Sequence, residues 1–114
     1  MKAQPTLKLM FTLILIGMIA VTTWASLRQP VWGWGGLKGP DAPWTIATLC
    51  DAYAGFLTFY AWVCYKERSA FARLGWLLAI LVLGNMAMSG YVLIALWRLP
   101  RDAPIERLLL RAAP

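Results

Sequence analysis

Three apolar runs, residues 9–27, 44–65 and 74–97, constrain this chain more than anything else in it. As a helix rising ~1.5 Å per residue, each is long enough to cross a hydrocarbon core of ~30 Å. The first, LMFTLILIGMIAVTTWASL, and the third carry no charged group. The second, WTIATLCDAYAGFLTFYAWVCY, contains Asp51. An acid at membrane depth is a candidate functional residue by default.

Composition agrees with the runs. Hydrophobic residues are 61% and charged residues 14% of 114, against roughly 45–50% apolar in a soluble domain. The net charge is +6, but Lys and Arg fall in the short segments between runs. Membrane proteins place them there, so topology and headgroup contact account for them better than nucleic-acid binding. The expected fold is therefore an all-α membrane protein, one domain of three transmembrane helices.

The connections carry further signals. Residues 28–43, RQPVWGWGGLKGPDAP, hold four glycines and three prolines, which exclude a regular helix. Trp32 and Trp34, with Trp24 and Trp44, suit an aromatic belt at headgroup level better than a cage for a cationic ligand. Asp41 near the N-cap and Pro43 in the first turn would start the second span. Residues 102–114, DAPIERLLLRAAP, are too short to span and suggest a brief amphipathic segment on the surface. A cleaved signal peptide is the competing reading of the first run, but its apolar stretch exceeds the usual ~7–15 residues.

Straight antiparallel spans also predict neighbours. Counted from a shared end, Asp51 falls beside Ser89, Tyr91 and Thr22 or Thr23, and Asn85 faces Thr58. On the second span Thr48, Asp51, Gly55, Thr58 and Trp62 share one stripe, small and polar as helix packing in lipid prefers. Asp51 has three open readings. It packs against hydroxyl donors, it pairs with an arginine such as Arg28 or one from a partner, or it relays protons or holds an ion.

Catalysis has little to work with. The chain has no histidine, hence no visible base for its Ser and Thr hydroxyls. Gly33, Gly35 and Gly36 do not precede a Lys-Ser/Thr pair, so there is no phosphate loop. Cys50 and Cys64 lie fourteen residues apart on one span, ~21 Å as a helix, too far to pair. Without a His or Cys cluster no metal site or cofactor is expected.

The motifs PW-x-x-ATL-x-D-x-Y over Pro43–Tyr53, W-x-x-YKE over Trp62–Glu67, and LGN followed by YVLIAL in the third run resemble the domain of unknown function family 1475. The resemblance covers about half the chain. It implies a small polytopic membrane protein of bacteria or plants and implies no activity. Its motif positions add Trp44, Tyr53, Tyr65, Lys66 and Glu67 to the candidates Thr48, Asp51, Thr58, Asn85, Ser89 and Tyr91.

The expectation is a non-enzymatic accessory or assembly subunit of a larger membrane complex, with photosynthetic and respiratory assemblies as compatible hosts. Its partners would be membrane lipids and other transmembrane subunits. The alternatives are an oligomeric carrier of a small solute or ion lined by Asp51, or a lipid- or quinone-binding protein using Trp24, Trp44, Tyr91 and Trp97. The expected location is a bacterial inner or intracytoplasmic membrane. Lys and Arg divide five against six between the two sides, and the compact KERSAFAR connection tips the amino terminus toward the cytoplasm.

Overall fold

The computed structural model describes residues 3–29, 38–40 and 42–111. Within them the chain is helical: α1 (Ala3–Arg28), α2 (Ala42–Lys66), α3 (Ala70–Leu83), α4 (Asn85–Arg98) and a closing 3₁₀ turn (Ile105–Leu108). Local chemistry sets the ends. Pro5 and Pro43 fall in first turns, where a missing N–H is tolerated. Ser69 caps α3 by accepting from the Ala72 N–H at 3.3 Å, satisfying one of the donors that a helix start leaves open. Leu99 is extended (φ −78°, ψ 133°), as the residue before Pro100 must be, and α4 stops there.

The third apolar run does not cross as one helix, which corrects the expectation of three spans. It breaks at Gly84, the residue with positive φ (56°) among those described. The break is a reversal rather than a bend. Trp76 and Tyr91 are fifteen residues apart, ~22 Å along a straight helix, yet their ring centroids lie 4.8 Å apart. The α3–α4 pair is thus a helical hairpin with arms of 14 residues each, ~21 Å long and too short to cross ~30 Å of hydrocarbon. Two helices, α1 and α2, remain long and apolar enough to cross a membrane.

Gly84 is required at the tip. A Cβ there would lie 2.8 Å from Cζ of Phe56. Its φ of 56° with ψ −122° is backbone that side chains strain to adopt. The hairpin lies antiparallel to α2 along α3. The Tyr60 hydroxyl donates to the Arg73 carbonyl at 2.7 Å and the Tyr53 hydroxyl to the Leu81 carbonyl at 3.0 Å.

Burial concentrates at one end. Val63, Ile80, Ala87 and Tyr91 form one core between the hairpin arms and α2. Val92, Leu96 and Leu108 form a second, packed against Leu7 and Phe11 of α1 and Phe59 and Trp62 of α2. The start of α1, the end of α2 and both bases of the hairpin therefore meet at this end. From there α1 and α2 run out together, since helices of 26 and 25 residues, ~38 Å each, fit a body of 51 × 28 × 21 Å only if both follow its long axis. Beyond the hairpin tip they are largely bare. Every described residue of α1 from Ile19 onward is exposed.

Candidate functional site

The hairpin divides the candidate residues into two groups. At the packed end Tyr91 is a hub. It is 3% exposed, and three rings meet it edge to face: Trp76 at 4.8 Å, Trp62 at 5.5 Å and Phe59 at 6.1 Å. Its hydroxyl donates to a Glu67 carboxylate oxygen at 2.8 Å, while Arg73 Nε donates to the Glu67 carbonyl at 2.9 Å. Aromatic pairs of this geometry contribute ~0.5–1.5 kcal/mol each beyond the area they bury.

A latch of side chain to backbone bonds fastens the tail onto this hub. Lys66 Nζ donates to the Leu108 and Leu110 carbonyls at 2.6 and 3.1 Å. Trp62 Nε1 donates to the Leu109 carbonyl at 3.1 Å. Arg111 Nε donates to the Tyr65 carbonyl at 2.6 Å, with its guanidinium 5.2 Å from the Tyr65 ring. From α1, Gln4 is buried and donates to the Pro100 and Ala103 carbonyls at 2.8 and 3.2 Å. The tail expected as a brief amphipathic segment on the surface is a clamped one, with Leu108 buried and Leu109 and Leu110 exposed.

Gln4→Ala tests the latch. It leaves those two carbonyls without the amide donor, at ~1–3 kcal/mol for the buried one of Ala103. Proteolysis within residues 99–111 should accelerate several-fold with helix content unchanged, and a wild-type cleavage rate would contradict this account.

The second group lies on α2 from the level of the hairpin tip outward. Thr48, Asp51 and Gly55 are exposed, and a Cβ at Gly55 would meet nothing within 4 Å. Asp51 makes no hydrogen bond or ion pair among the described residues. Thr58, one turn further, spends its hydroxyl on the Ala54 carbonyl of its own helix at 2.9 Å.

For Ser89 and Tyr91 the register drawn from straight spans does not hold. Tyr91 sits at Glu67. Asp51 lies sixteen residues back along the chain, ~24 Å away at the helical rise. Reversal at Gly84 carries Ser89 and Tyr91 toward the end of α2 rather than toward its start. Ser89 is buried there, while Asn85 is exposed at the tip and makes no side-chain hydrogen bond among the described residues. Arg28 stacks 5.4 Å over Trp24 instead of reaching Asp51. Trp44 is 79% and Tyr65 45% exposed, at opposite ends of α2. Trp32, Trp34 and Asp41 lie outside the described residues.

A family model described as "Protein of unknown function (DUF1475)" matches residues 6–113. This chain belongs to the DUF1475 family. No curated protein and no solved structure matches it. The DUF1475 match runs past the Pro43–Leu96 stretch that carries the sequence resemblance and takes in α1 from Thr6 onward and the clamped tail.

Structural residues of this DUF1475 chain that escaped sequence reading include Gln4, Trp76 and Arg73, with the rings of Phe56 and Phe59. Gln4 stood in a short polar head with no pattern around it. Trp76 resembled any other aromatic of an apolar run. For the hairpin a signal did exist, the Gly84-Asn85 pair in mid-run, since Gly followed by Asn favours a turn. In an apolar context it reads equally well as small-residue packing.

Proposed function

We propose that the chain is an integral membrane protein with two spanning helices, acting as a non-enzymatic accessory subunit. Its α2 stripe of Thr48, Asp51 and Gly55 would dock on a transmembrane helix of another subunit. The observation that carries this reading is the position of Asp51, exposed on a helix of spanning length and unpartnered among the described residues of its own chain. A carboxylate facing lipid at the middle of a helix costs at least ~2.5–3.5 kcal/mol. A neighbouring helix bearing a basic or hydroxyl side chain relieves that cost. Room for one exists, because the hairpin stops short and leaves α1 and α2 bare over that half of the body.

Two further features support the membrane setting. No residue in the most apolar stretch of α1 is buried, which favours lipid over a protein core as its surroundings. Trp44 and Tyr65 are both exposed. They are separated by ~31 Å along α2, the spacing of two interfacial aromatic belts.

Affinity purification from native membranes in mild detergent is the test. A second transmembrane polypeptide should co-purify, and Asp51→Leu should reduce its recovery tenfold or more without lowering expression. Breaking one side of a buried charge pair costs ~2–5 kcal/mol, and tenfold is ~1.4 kcal/mol. Recovery as a monomer overturns the accessory role. Recovery as a homo-oligomer lost in Asp51→Leu replaces it with self-association.

A further inference from the structure

Reversal of the third apolar run changes which charges share a side. Lys8 stands 4.9 Å over the Trp97 ring, so the second turn of α1 lies at the end of α4. The α2–α3 connection adds Lys66, Arg68 and Arg73, and the segment from the end of α4 adds Arg98, Arg101, Arg107 and Arg111. Among the described residues, one, three and four make eight basic residues at the packed end, against Arg28 and Lys38 at the other. A straight third span would have sent the last four to the far side and left the division nearly even. Three acids share the basic end, Glu67, Asp102 and Glu106, leaving a surplus of five positive charges.

These charges are held at a rim. Lys66, Arg73 and Arg111 donate to backbone carbonyls, while Arg98, Arg101 and Arg107 are exposed. Leu109 and Leu110 are 59% and 54% exposed between Arg107 and Arg111. Exposed leucines interleaved with arginines suit the boundary between headgroups and acyl chains.

The Gly84 backbone at the hairpin tip is covered as lipid depth requires, while the Asn85 side chain beside it is exposed. Irregular backbone survives at that depth only when protein covers it. Gly84 is buried against Phe56, its N–H reaches the Ile80 carbonyl at 2.8 Å, its carbonyl takes the Met88 N–H at 3.0 Å, and Tyr53 covers the Leu81 carbonyl.

We propose that the packed basic end lies in the headgroup layer of an anionic phospholipid leaflet, and that α3–α4 is a re-entrant hairpin entering and leaving by that leaflet. The start of α1, the α2–α3 connection and the tail are then all on one side, the cytoplasmic side by the distribution of Lys and Arg. Each such cation near an anionic surface contributes ~1 kcal/mol. The proposal rests on the membrane reading above but not on the accessory role.

Single-cysteine labelling with a membrane-impermeant maleimide tests it, in a chain with Cys50→Ala and Cys64→Ala. Ala70→Cys and Leu110→Cys should label from the cytoplasmic side of the vesicle, and Lys38→Cys from the opposite side. Labelling of Leu110→Cys from the side of Lys38→Cys overturns the hairpin topology. Labelling of all three from both faces of sealed vesicles overturns the membrane reading itself. A bimane on Leu110→Cys separates headgroup contact from mere sidedness. Its emission should shift to the blue when phosphatidylglycerol replaces part of the phosphatidylcholine, and the shift should shrink in high salt. Emission indifferent to lipid charge and salt overturns the contact with anionic headgroups.

Discussion

Gly84→Val should dissolve the α3–α4 turn. The wild-type residue sits at φ 56° and ψ −122°, where a non-glycine residue costs ~1–3 kcal/mol. Its Cβ would also come within 2.8 Å of Cζ and 3.3 Å of Cε2 of Phe56, an overpacking worth ~1–3 kcal/mol more. A loss of roughly 3 kcal/mol is expected when the protein is unfolded by denaturing detergent. A second readout follows from what the variant can become. With the turn strained and a continuous apolar run on either side, one straight helix through residues 74–97 is the competing arrangement. A Leu110→Cys label in the Gly84→Val background should then appear partly on the side of Lys38. Wild-type stability together with wild-type sidedness would mean that the turn does not depend on glycine.

Tyr91→Ala should be the most damaging change at the packed end. Removing the ring strips Trp76, Trp62 and Phe59 of their common partner and leaves the Glu67 carboxylate without its donor. Truncating a buried aromatic costs roughly 3–5 kcal/mol. Tyr91→Phe keeps the ring and removes only the hydrogen bond to a charged acceptor, ~1.5–3 kcal/mol. Unfolding titrations of both variants should therefore fall in the order wild type, Tyr91→Phe, Tyr91→Ala. Equal losses would assign the stability to the Glu67 bond alone. No loss in Tyr91→Ala would remove the hub from the account.

These two residues show why part of the site was hidden. Tyr91 was visible as a polar aromatic within an apolar run, and Glu67 as the end of a distinctive motif. Their meeting depends on a reversal seven residues before Tyr91, and nothing in the periodicity around Tyr91 encodes it. Trp62 belonged to the same motif as Glu67, but its partners, Tyr91 and the Leu109 carbonyl, come from distant segments. Asp51 is the opposite case. Its type and its place on α2 were legible, and so were its neighbours Thr48 and Gly55 on one helical stripe. The partners drawn for it from the third run, Ser89 and Tyr91, failed because they assumed a straight third helix.

The sequence alone determined the helical class, the apolar body of α1, the place of α2 with Pro43 in its first turn, and the family. Each is a local property, set by runs of apolar residues, by capping chemistry or by a string of adjacent motif residues. The tertiary structure decided that 74–97 folds into a hairpin. A glycine-asparagine pair in an apolar run allows both a turn and a straight helix, and only packing of Gly84 on Phe56 and of Tyr91 among three rings selects the turn. That choice reassigned four arginines to the other end of the molecule. Among the described residues it turned a division of four against six into eight against two, which no count along the chain could have done.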